Sequence, residues 1–129
     1  MITLQEIKLW IQSYLDNVYV SIGEVTEGSD RQAAIRTVKG AIAPASIGKS
    51  SSYCNLSIAV QYAQTGEDDA ENVAWQIYDL LNQASSIGAH AINHIQMAYE
   101  YPLWIRKTSE GATVFEAAAL INYQNEEGE

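Results

Sequence analysis

Residues 53–82 read YCNLSIAVQYAQTGEDDAENVAWQIYDLLN, and the hydrophobic period changes once within this stretch. In its first part, apolar residues alternate with smaller or more polar ones. The apolar set is Cys54, Leu56, Ile58, Val60 and Tyr62. Successive side chains of a strand point to opposite faces, so a period of two predicts a half-buried β-strand.

A helix is predicted directly after this strand. Its start is marked by four carboxylates, those of Glu67, Asp68, Asp69 and Glu71. Acidic side chains are favoured at this position because the helix dipole is positive at its N-terminus. The apolar stripe that follows has helical spacing and consists of Val73, Ile77, Leu80, Leu81 and Ala84. We expect Gly88 to end the helix in a left-handed conformation.

The N-terminal part predicts a helix and two strands. Residues 3–16 carry apolar residues at helical spacing, and Thr3 with Glu6 forms a capping box. Residues 18–22 are rich in β-branched and aromatic residues, which favours a strand. A second strand is expected at 32–38, joined to the first as a hairpin by a polar turn.

The C-terminal part predicts two more strands, at residues 91–101 and 113–124. The second of these is apolar on both faces, which is typical of a strand covered on each side by a helix or by another subunit. We expect NEEGE, residues 125–129, to form a flexible acidic tail. The expected fold is one α+β domain over residues 1–129, with an antiparallel or mixed β-sheet of about four to five strands packed with two α-helices.

The composition excludes several classes of function. The chain has 129 residues with 16 Asp and Glu against 7 Lys and Arg, a net charge of −9. This balance argues against tight binding of DNA or anionic lipid, which needs clustered basic residues. A single cysteine, Cys54, allows no intrachain disulfide. No apolar run reaches the roughly 18 residues of a membrane span, and the N-terminus lacks the pattern of a signal peptide.

Two motifs that suggest catalysis or ligand binding do not fit their surroundings. APASIGKS, residues 43–50, loosely matches a phosphate-binding loop, but a strand follows it where that loop requires a helix. His90 and His94 lie four positions apart, which on a strand separates them by about 13 Å, too far for one metal ion. We therefore expect neither an enzyme nor a bound cofactor or metal.

The candidate contact residues are aromatic and basic residues in predicted loops. Trp104 lies between the last two strands beside Arg106 and Lys107, and Lys49 lies in a long loop at 39–52. Such residues on loops are typical of partner contacts, although a Trp folded onto its own hairpin would give the same pattern. Both loops, 39–52 and 102–112, are long enough to reach neighbouring molecules.

Three stretches together resemble a known family. The first helix leads into VYVSIGEV, the central strand and helix read NLSIAVQYAQTGEDDAENVAWQIYDLLN, and Tyr101-Pro102 leads through Glu110-Gly111 into TVFEAAALINYQ. This order is similar to that of the tail-terminator and minor capsid proteins of long-tailed phages, including those in prophages of Gram-positive bacteria. The similarity is one of pattern and spans most of the chain.

The resemblance implies a structural assembly protein of the virion, made in the cytoplasm of the bacterial host. Such subunits form a closed ring, usually a hexamer, that caps the tail tube and docks to the head connector. In such a ring the acidic residues Glu67, Asp68, Asp69 and Glu71 would line either the lumen or the outer surface. A tail-tube or head-completion protein is the nearest alternative. A small acidic module that neutralises a basic partner, like an immunity protein or antitoxin, is a second one.

Overall fold

The computed structural model describes residues 2–38 and 53–124 of the chain. Within them lie two helices, α1 (Leu4–Tyr14) and α2 (Glu67–Asn82). The strands are β1 (Tyr19–Ile22), β2 (Gln32–Thr37), β3 (Tyr53–Thr65), β4 (Ser86–Ile87), β5 (His90–Met97), β6 (Leu103–Lys107) and β7 (Ala112–Gln124). The α+β class with two helices is confirmed.

One mixed sheet contains these strands in the order β1-β2-β3-β7-β5-β4, with β6 also paired to β7. Strands β3 and β7 pair along their whole lengths, from Tyr53 with Gln124 to Thr65 with Ala112. The other side of β7 is shared, because β5 pairs with its C-terminal half and β6 with its N-terminal half. The last strand of the described residues is therefore central in the sheet.

The main core lies between one face of the sheet and both helices. Ile58 and Val60 of β3 belong to the same buried cluster as Ile77 and Leu81 of α2, as the alternation in β3 predicts. From α1 the cluster takes Ile7 and other residues of its apolar stripe. The Thr3 and Glu6 capping box is present, with the Glu6 backbone N–H donating to Thr3 Oγ1 at 3.1 Å.

A smaller core covers part of the opposite face. Val25, in the connection between β1 and β2, packs with Ala34, Ala63 and Val114. This connection explains in part why β7 is apolar on both faces. Farther along β7, Ala118 and Leu120 on the same face stay half-buried.

The expected number of strands is wrong: the described residues contain seven, not four to five. One reason is β6, which lies inside the predicted loop at 102–112. Another is β4, Ser86–Ile87, which lies where the sequence predicts the end of the second helix. The strand expected at 91–101 is the single strand β5, which ends earlier, at Met97. Gly88 does have φ of +60°, but it lies in the β4–β5 turn, after α2 has already ended at Asn82.

The expected hairpin of the first two strands is also wrong. Strands β1 and β2 pair in parallel, with Tyr19 beside Gln32 and Ile22 beside Ile35. A parallel pair needs a connection that crosses back over the sheet. The segment at 23–31 makes this crossing and is held there by the burial of Val25. The predicted loop at 39–52, with Lys49, and the predicted tail at 125–129 lie outside the described residues.

Candidate functional site

Trp104 lies on a strand, not in a loop. It is part of β6 and sits in register with Phe115 of β7, which packs on Ala70 and Ala74 of α2. Paired residues share a sheet face, so Trp104 is on the helix-covered side, yet 54% of it is exposed. The run Leu103-Trp104-Ile105 between Pro102 and the polar turn is the sequence signal that could have indicated β6.

Exposed aromatic residues cluster around β6 and the bend that precedes it. We define the β6 surface by four of them: Trp75, Tyr99, Tyr101 and Trp104, which are between 36% and 54% exposed. The bend is tied to α2, because the Tyr78 hydroxyl donates to the Tyr99 carbonyl at 2.6 Å and the Trp75 and Tyr78 rings meet edge to face. Tyr78 thus links Trp75 on the helix to the bend that contains Tyr99.

The two predicted basic contacts beside Trp104 are both engaged within the chain. Arg106 forms an ion pair with Glu27 of the β1–β2 connection, and the Ser109 backbone N–H donates to the same carboxylate at 2.7 Å. These contacts, the Ser109 N–H foremost, lower the pKa of Glu27 below its ordinary value. Arg106 therefore fixes the β1–β2 connection to β6, which makes it a positioning residue more than a free contact.

The predicted acidic cluster is the start of α2. Glu67, Asp68 and Asp69 form its first turn, and Glu71 follows in the next. All four are exposed, and the Glu67 carboxylate lies 3.7 Å from the ammonium of Lys107. The structure thus places this acidic cluster beside the β6 surface, which sequence reasoning did not anticipate.

A second group of exposed apolar residues lies at the opposite end of the sheet. Tyr19 and Ile22 of the edge strand β1 are 59% and 48% exposed. Being three positions apart, they lie on opposite faces of the sheet, and we call the strand edge that they flank the β1 surface. In the part of the chain that the structure describes, the outer edge of β1 has no strand partner. The same holds for the outer edge of β6. The sheet therefore has an exposed apolar surface and a free strand edge at both ends.

His90 and His94 are not brought together as a site. The His90 ring lies 3.0 Å from the Glu6 carboxylate, and this contact links the β4–β5 turn to α1. The same ring packs edge to face on Tyr123. His94 is exposed and lies in register with Asn122. Among residues 2–38 and 53–124, no group of three His, Cys, Asp or Glu side chains could hold a metal ion.

A model of the bacteriophage tail terminator proteins matches residues 9–125 of the chain. The chain belongs to that family. Membership confirms the resemblance seen in the sequence and identifies a structural, not catalytic, component of the virion that interacts with other virion components. No curated protein and no solved structure matches the chain. No helix of the described residues is long and apolar enough to cross a membrane.

Proposed function

We propose that this tail terminator forms a closed ring, a hexamer, that caps the tail tube and docks to the head connector. The proposal of a ring rests on one observation: the β1 surface and the β6 surface lie at opposite ends of one sheet. When one surface of a subunit binds a different surface of the next, every copy can repeat the contact. The copies form a closed ring if the rotation between neighbours is a whole fraction of a full turn.

The free strand edges support the same arrangement. Unpaired strand edges are templates for uncontrolled association, and proteins usually cover them or blunt them with charge. The outer edge strand β1, Tyr19–Ile22, carries no charged side chain, and its exposed residues are apolar. In a ring, the β6 surface of the next copy covers this edge, and Trp104 lies at that interface.

The remaining predicted contacts are assigned to the faces of the ring. We assign Lys49 to contacts with the tail tube or the head connector. Glu67, Asp68, Asp69 and Glu71 supply negative charge at the rim of each β6 surface. With a net charge of −9 per chain, the ring carries a negative field that disfavours bound phosphates, so it does not hold the genome as it passes.

The ring is tested by measuring the mass of assemblies in solution, with and without added tail tube. The wild-type chain is expected to form one closed oligomer. Tyr19→Asp disables only the β1 surface and Trp104→Asp only the β6 surface, so each variant alone should remain monomeric. Gln96→Glu, an exposed change on β5 with the same added charge, is the matched control and should still form rings.

Mixing the two disabled variants gives the decisive result. Each retains one intact surface, so an equimolar mixture should form discrete dimers and no larger species. If the mixture stays monomeric while the wild type forms rings, these two surfaces do not meet. A wild-type chain that remains a monomer with tail tube, yet binds one basic protein tightly, would instead favour the immunity-protein alternative.

A further inference from the structure

A groove of about 510 Å³ lies between the C-terminal ends of the two helices. Its walls include Trp10 and Tyr14 from the last turns of α1, and Asp79 and Gln83 from the end of α2. It is separate from both the β1 surface and the β6 surface, since none of the residues that define those surfaces lines it.

The groove is electrostatically negative. Both helices end at it, and neither has a basic residue in its last turn to offset the negative end of the helix dipole. The Asp79 carboxylate adds a full negative charge to the wall. Residues 50–105 contain no Lys or Arg, so neither α2 nor the segment after it supplies a basic side chain to offset this charge. Lys8 is the one basic residue of α1.

The aromatic wall suits a flat cation. The Trp10 and Tyr14 rings meet edge to face with centroids 5.9 Å apart, and Tyr14 is 64% exposed. A guanidinium group stacks on such rings and is attracted by their electron-rich faces. The same group can donate to a carboxylate such as that of Asp79 and to helix-terminal carbonyls.

We propose that this groove binds an arginine side chain presented by a different protein of the virion. Another copy of this chain is a poor source, because each of its three arginines is already engaged. Arg36 pairs with Glu116 at 3.1 Å, Arg106 pairs with Glu27, and Arg31 Nε donates to the Asn17 carbonyl at 3.2 Å. The groove is thus a docking site for a basic segment, independent of ring formation.

The probe is the peptide acetyl-Gly-Leu-Arg-Leu-Gly-amide, with a control peptide in which neutral citrulline replaces Arg. The readout is the indole N–H signals of the full chain labelled at tryptophan, of which it has three. Trp10 should shift in a saturable way, while Trp75 and Trp104 serve as internal references outside the groove. The Arg peptide should bind at least about fivefold more tightly than the citrulline peptide.

Two variants assign the binding to the groove. Asp79→Asn should weaken binding of the Arg peptide about fivefold, whereas Asp68→Asn, which removes the same charge at the far end of α2, should have little effect. Tyr14→Ser tests the aromatic wall at an exposed position and should also weaken binding. Equal affinity for the two peptides, shifts confined to Trp75 or Trp104, or equal effects of the two Asp variants would overturn the proposal. Each result is independent of the oligomeric state.

Discussion

Truncation of Leu81 to Ala tests the packing of α2 on the sheet. Leu81 is fully buried in the main core, together with Ile58 of β3 and Ile121 of β7. The change removes three carbons, each worth roughly 0.8 kcal/mol on transfer from water, or about 2.4 kcal/mol together. The cavity left behind adds about 24 cal/mol per Å³, so we expect the free energy of unfolding to fall by about 3–4 kcal/mol.

The assay is chemical denaturation followed by circular dichroism, with both proteins at one concentration because subunit association adds to the measured stability. The expected loss corresponds to a fall of roughly 10–15 °C in Tm. Leu9→Ala is the matched control: the same substitution at a residue of α1 that is 56% exposed should change stability by less than about 0.5 kcal/mol. A loss below about 1 kcal/mol for Leu81→Ala would refute the packing of α2 described above.

Three further outcomes follow from the structure. Trp104→Ala should lower the fraction of assembled rings while changing the Tm of the isolated subunit little, since the side chain is half exposed; a large loss of Tm with normal assembly would show that Trp104 is part of the core. The Thr3 backbone N–H and His90 lower the pKa of Glu6 below its ordinary value of 4.5. The stability that the ionised Glu6 contributes is therefore present above pH about 4.5 and lost as the pH falls through the lower folded-state pKa. The difference in unfolding free energy between wild type and Glu6→Gln should shrink over that range, and a difference that does not change with pH would contradict the stabilisation of the ionised Glu6 by the Thr3 N–H and His90 together. The purified chain should show no binding to double-stranded DNA in a filter or mobility assay at about 0.15 M salt, and tight, salt-sensitive binding would contradict both the charge argument and the terminator role.

The sequence pattern predicted those elements that depend on contacts between residues close together in the chain. The Thr3–Glu6 capping box depends on residues three positions apart, and it is present. The alternation in β3 and the acidic start of α2 likewise predicted the strand and the helix. The buried face of α2 was predicted in part: Ile77 and Leu81 are buried, but Val73 and Leu80 are only half-buried. The family resemblance was carried by these same stretches.

The pairing of the strands was not predictable in the same way. Nothing in the pattern of residues 18–22 and 32–38 distinguishes a parallel pair from a hairpin. The direction depends on where the connection between them is buried, through Val25 and through the ion pair of Glu27 with the distant Arg106. The sequence left open whether Trp104 is exposed or folded onto its own hairpin, and its place on a strand with 54% exposure was not predicted. The juxtaposition of Lys107 with Glu67 was not predicted either, and the role of these residues as contacts stays a prediction.

The central position of β7 sets the order in which the chain can fold. Between any residue of β3 and its partner in β7, the chain contains all of α2, β4, β5 and β6. This holds even for Thr65 and Ala112, the pair closest in sequence. Such distant pairings are slow to form, because the long intervening segment must be ordered before they contribute. During synthesis, β3, β5 and β6 have no central partner until residues 112–124 have left the ribosome. A product interrupted before β7 has no completed sheet, and it cannot present a finished β6 surface to a growing assembly.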